Sequence, residues 1–205
     1  MRMVNKSKKG FTLVEMMLSL AIVAIVSGCL YTLVFAIKDS YLNTYNSDDS
    51  TDYAMLFARG FENSFLASVQ DNTVFAGSKK NITWKIGLNG TEQALLKSVE
   101  GGATTPVFTC SQMKVMRPGA TATVDKWKIY MAFDWNSATK VVTYTVYVVD
   151  NYYSPGVVKS AYTSSVYLPH FDNGTITVSN PSLVTNTNGA VYPADQSAYL
   201  TFTPS

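Results

Sequence analysis

Two cysteines and one histidine in 205 residues leave little material for disulfide, metal or nucleophile chemistry. Cys29 falls in a long apolar run and Cys110 far downstream, so a bridge between them would need a geometry the helix forbids. Any His-based zinc site or Ser-His-Asp triad would have to be built on His170 alone, between Pro169 and Phe171. Gly-x-Ser-x-Gly, His-Glu-x-x-His, Cys-x-x-Cys and phosphate-cradling glycine loops are all missing. The expectation is a chain that is not an enzyme and takes no cofactor or metal. Charge is sparse too, at 15% of residues, and the basic residues of the second half are scattered rather than striped, which disfavours a nucleic-acid surface. Asp48, Asp49 and Asp52 lie close together but lack the glycine and terminal glutamate of a calcium loop. With Ser47, Ser50 and Thr51 they are weak helix formers, and a local kink or helix restart is expected there.

What is present lies at the N-terminus. Lys8-Lys9-Gly10-Phe11-Thr12-Leu13-Val14-Glu15 is followed by residues 16–37, twenty-two positions with no formal charge and no proline. A bilayer is spanned by about 20 such residues. Arg2, Lys6, Lys8 and Lys9 would hold the leader on the cytoplasmic side. Glu15 is the anomaly, because a carboxylate in the outer turn of a membrane helix is costly unless paired. An ordinary secretory signal fits poorly: its apolar core is shorter and ends in small residues. Val26-Ser27-Gly28-Cys29 offers a second reading, a lipoprotein acylated at Cys29, yet the apolar run continues past it. A third is a simple membrane anchor.

Gly10-Phe11-Thr12-Leu13-Val14-Glu15 with its apolar helix resembles the class III signal of type IV prepilins and the related pseudopilins. The resemblance covers about the first forty residues. It implies cleavage between Gly10 and Phe11 by a prepilin peptidase, N-methylation of Phe11, and pairing of Glu15 with the N-terminal amine of a neighbouring subunit. It further implies a single-pass precursor in the cytoplasmic membrane that is later extracted into an extracellular pilus. Other pilin subunits, an assembly ATPase and a membrane platform protein are the implied partners; whether the head meets host surface or nucleic acid stays open. The mature length and strand number suggest a minor pilin, with a pseudopilin of a secretion or DNA-uptake machine as the alternative. A head without a disulfide departs from many Gram-negative pilins and would fit a Gram-positive source.

Removing the leader takes away four basic residues and leaves twelve against fourteen acidic ones, a slightly negative mature chain. The expected fold class is α+β, a long N-terminal helix packed by its amphipathic half against an antiparallel sheet. The expected divisions are a leader at 1–10, a membrane and filament-core helix at 11–37, an amphipathic spine at 38–67 and a β-rich head at 68–205. Tyr31 and Tyr41 suit membrane-interface anchors. Tyr53, Leu56, Phe57, Gly60, Phe61 and Phe65 recur at helical spacing and form the face expected to dock, with Gly60 allowing close approach. Beyond residue 72 the period changes to two. Strands are expected at 82–88 and 91–99 around an Asn89-Gly90 turn, at 107–115, and at 127–135 and 141–149 around Asn136-Ser137-Ala138-Thr139. Further strands are expected at 157–168, 175–178 and 198–203, with 180–195 a long surface loop. Tyr144, Tyr147, Tyr152, Tyr153, Tyr162 and Tyr167 would make an adhesive surface if they shared a face.

Overall fold

The computed structural model describes residues 12–74, 80–111, 114–116, 119, 121–152, 156–168, 171, 174–186 and 189–204. It has one long helix, α1 (Leu13–Val74), followed by twelve strands among the described residues. By internal contacts the chain falls into two units, Met1–Asn46 and Ser47–Ser205. The fold is α+β, as the change of period implied.

In the first unit, α1 is exposed on all sides from Leu13 to Leu42, a stretch long and apolar enough to cross a bilayer. Three of its hydroxyls are turned back onto the helix. Ser19 donates to the Met16 carbonyl and Thr32 to that of Cys29, both at 2.9 Å, and Thr44 donates to Ser40 at 3.0 Å. Internal satisfaction of this kind is what a bilayer demands of polar groups. Tyr31 and Phe35, one turn apart, bring their rings to 4.4 Å.

In the second unit, the rest of α1 lies on two sheets. Strands β1 (Ile82–Asn89), β2 (Glu92–Val99), β3 (Thr105–Cys110), β9 (Gly174–Ser179) and β12 (Tyr199–Pro204) form an antiparallel five-stranded sheet in the order β3-β2-β1-β12-β9. Strands β6 (Trp127–Asn136), β7 (Val141–Asp150) and β8 (Val157–Tyr167) form a meander of three. Two short ribbons complete the unit, β4 (Lys114–Met116) with β5 (Thr123–Asp125), and β10 (Leu183–Thr185) with β11 (Val191–Pro193). Alternate residues of both sheets, among them Trp84, Leu95, Leu200, Phe202, Phe133 and Val146, close over the helix face made by Ala54, Phe57, Ala58, Phe61, Phe65 and Val69.

Phe61 is the hub of this core. Its ring lies 4.8 Å from Tyr144, 5.3 Å from Phe65 and from Phe133, and 6.3 Å from Trp84, mostly in tilted or edge-on arrangements. Polar contacts fix the helix along its length. The Trp127 indole donates to Asp49 Oδ2 and the Trp84 indole to Ser64 Oγ, both at 3.0 Å, while Lys97 Nζ donates to Ser68 Oγ at 2.7 Å. The Tyr144 hydroxyl donates to Glu62 at 3.3 Å.

The helix restart expected among residues 47–52 does not occur, because the residues of α1 are helical throughout that stretch. Tertiary contact overrides weak propensity here: Ser50 is fully buried and Asp49 receives an indole instead of capping a new helix. Leu56 also departs from expectation, being 47% exposed and off the docked face. At Gly60 an added Cβ would meet Phe108 at 3.6 Å and Leu95 at 3.9 Å, ordinary contacts, so packing does not require glycine. The segment 107–115 is not one strand; β3 ends at Cys110 and β4 belongs to another ribbon. The stretch 180–195 holds a hairpin whose Tyr192 is buried against Tyr130 and Val149 in a second small core. The β1–β2 hairpin forms, but Asn89 pairs with Glu92, so Gly90 and Thr91 are the loop. Gly90 (φ 65°) then occupies the first central position, as a type II′ turn requires.

One edge is closed without a strand. β6 pairs with β7 on one side, and side-chain amides meet its other side. Gln93, buried, donates to the Trp127 carbonyl at 2.6 Å and accepts from the Ile129 N–H at 2.7 Å. Gln196 donates to the Ile129 carbonyl at 2.6 Å, and Asn180 both accepts from and donates to the Phe133 backbone, at 2.9 and 2.6 Å. Three amides thus stand where a neighbouring strand would be.

Burial pushes the Tyr144 phenol from 10.0 up to about 12, with the Ser164 hydrogen bond opposing. A folded-state value above the unfolded one gives stability that is complete below the unfolded value and lost as pH rises through the folded one. Stability against urea is therefore expected to fall between pH 10.0 and about 12, and Tyr144→Phe to lose that part of the alkaline dependence.

Candidate functional site: the first turn of the apolar helix

Thr12 and Glu15 stand at the start of α1 and satisfy each other. The Thr12 N–H and hydroxyl both donate to Glu15 Oε2 at 2.9 Å, and the Glu15 N–H donates back to Thr12 Oγ1 at 3.3 Å. Thr12-Leu13-Val14-Glu15 is a capping box, in which residue and cap satisfy two otherwise orphaned helix donors. The Met16 N–H reaches the Thr12 carbonyl at 3.2 Å and begins the helical ladder. Nothing in its residue type alone marks Thr12 as functional, although threonine three positions before glutamate is the sequence signature of this cap.

The consequence is positional. Side chains on either side of Glu15, among them Leu13, Val14, Met16, Met17 and Leu18, are apolar and exposed. A single carboxylate is thus held at one end of an otherwise greasy surface, with one Oε2 bonded to Thr12. Gly10 and Phe11 lie outside the described residues, as does His170.

Elsewhere the expected candidates separate. Cys29 and Cys110 are free thiols. Cys29 sits inside unbroken helix, and Cys110 is buried, which pushes its thiol up and away from the reactive thiolate form. The tyrosines do not share a face. Tyr144 and Tyr162 turn inward to the main core, Tyr147 packs on the opposite side with Tyr130 and Tyr192, and Tyr152 and Tyr167 are exposed. Tyr153 lies outside the described residues. Among the described residues no group of three or more His, Cys, Asp or Glu gathers as metal ligands would.

Residues 5–30 match the family model of the prokaryotic N-terminal methylation motif. This is the class III prepilin signal found on type IV pilins and pseudopilins, and it brings processing by prepilin peptidase and assembly with other pilins as its implied fate. The matched segment contains Gly10, Phe11, Thr12 and Glu15 and stops within the apolar helix. No curated protein and no solved structure matches the chain.

Proposed function

We propose that this chain is a minor subunit of a type IV pilus. It is stored in the cytoplasmic membrane by α1, cut between Gly10 and Phe11, methylated at Phe11 and drawn into a filament through its N-terminal helix. The observation that carries the reading is the Glu15 carboxylate, held by Thr12 at the head of a helix whose surface is apolar and exposed. A cut at Gly10 creates an amine that must enter the packed helices, where an unpaired charge is costly. Glu15 of the next subunit is the group that answers it. The peptide N–H of Thr12 survives the cut, so the capping box can keep the carboxylate in place until a neighbour's amine arrives. A mature chain of 195 residues with a many-stranded head supports a minor rather than a major subunit. The peptidase, the assembly ATPase, its platform protein and other pilins are the partners of this reading, and the head faces the outside once assembled.

Intact mass of the protein isolated from cells tests it. The expected species begins at Phe11 and carries one methyl group. A species starting at an acylated Cys29 would replace this reading with a surface lipoprotein, and one retaining residues 1–10 would leave an anchored β-rich ectodomain.

A further inference from the structure

We propose that the outer face of the five-stranded sheet binds an acidic saccharide, with the Lys85 ammonium as the anchor for its carboxylate. The inward residues of these strands are spent on the core, and the alternate set forms a regular outer surface. One row runs Ser98, Thr83, Thr201, Thr177 across β2, β1, β12 and β9, and the next places Lys85 between Leu96 and Tyr199. At the β2 end of these rows is an open hollow of about 440 Å³, lined by Thr83, Lys85, Ser98, Gly102, Tyr199 and Thr201 among others.

The lining carries one cation and no carboxylate, and among the described residues the only ion pair is Lys114 with Asp125, elsewhere in the fold. Within the hollow itself Lys85 is the charge an anion would meet, the exposed Glu100 carboxylate standing on the adjoining turn. The remaining groups of the hollow are hydroxyls. Thr83 and Thr201 share one hydrogen bond at 2.8 Å, which leaves the pair with an O–H and further lone pairs to offer. The Tyr199 ring, 38% exposed, stands beside Lys85 as a flat surface for the C–H face of a sugar ring. The wall is preorganised: Glu100 (φ 56°) and Gly101 (φ 69°) make a tight turn closed by Gly102 N–H to Val99 at 3.0 Å and Ser98 hydroxyl to Gly102 at 2.9 Å. A non-glycine residue in that conformation persists where its surroundings enforce it, and here the Glu100 N–H is held by the Asn81 carbonyl at 2.7 Å. A second copy of this chain is the poorer occupant, since protein interfaces rely on central apolar anchors. Leu96, the large aliphatic side chain in these rows, is 7% exposed. The assignment is independent of the filament reading.

Titration calorimetry of the full chain in non-ionic detergent, with trigalacturonate as probe and its neutral methyl ester as comparator, tests this. Trigalacturonate is expected to bind, and both the ester and the Lys85→Ala variant to show affinity about tenfold weaker, as loss of a charge-assisted hydrogen bond implies. Tyr199→Ala is expected to weaken binding about fivefold. Lys159→Ala, an exposed lysine on β8, is expected to change nothing. Absence of binding, equal binding of the ester, or equal loss in Lys159→Ala overturns the proposal. So does a fall in self-association, by sedimentation, in the Lys85 and Tyr199 variants, which would make a second copy the occupant.

Discussion

Glu15→Gln is expected to insert in the membrane and to be trimmed at Gly10 like the natural chain, yet to be depleted from sheared filaments by about a hundredfold or more. The magnitude follows from stranding a charge: removing one partner of a buried pair costs about 3–5 kcal/mol, because the other charge stays buried and uncompensated. Glutamine is chosen over alanine because it can keep the capping box with Thr12, so the helix start survives while the charge does not. Thr12→Val gives the opposite dissection, losing the hydroxyl contacts but keeping the carboxylate. Its filaments should form, with a cost of about 1 kcal/mol to the helix end. Immunoblots of shear fractions and membranes, normalised to each other, measure both variants. Wild-type incorporation of Glu15→Gln would end the pairing role, and failure of both variants alike would reduce Glu15 to a helix cap.

Phe61→Ala should lower the unfolding free energy of the second unit by about 3–5 kcal/mol, the range for removing a large aromatic from a closed core. Phe61 is fully buried and its ring meets four other aromatic rings from the helix and both sheets, so little of the space can collapse. Against a typical total of about 5–15 kcal/mol, that is a large share. Leu56→Ala, five residues earlier and 47% exposed, is expected to stay within about 0.5 kcal/mol. Urea denaturation of the full chain in detergent, followed by tryptophan fluorescence, compares the two, with Trp84 beside Phe61 as reporter. A Phe61→Ala cost no larger than that of Leu56→Ala would contradict the central place of this ring.

Much of this architecture could be read before any coordinates, where the local pattern and the tertiary fold ask for the same thing. The meander β6–β7 follows from strict alternation on both sides of Asn136, whose Oδ1 accepts the Ala138 and Thr139 N–H groups within the turn. Phe57, Phe61 and Phe65 fall on one helical face and were legible for the same reason. Sequence reading failed where a distant partner decides. Nothing near residues 47–52 announces that Trp127 will bind Asp49, so weak propensity pointed to a break. The ribbon β10–β11 has three residues a side, too few for a period, and it is anchored by Tyr192 packing on the distant Tyr130 and Val149. At the candidate site the outcome was mixed. Glu15 stood out by its charge, whereas Thr12 was hidden by being an unremarkable residue in a position that matters.

The amide-lined border of β6 bears on how this unit responds to the solution around it. Gln93, Gln196 and Asn180 carry no proton that comes or goes and no charge that dissolved ions can mask. Carboxylates and lysines in the same places would loosen as acidity or salinity changed around them. A seam made of neutral amides holds the same way in brine, fresh water or acid.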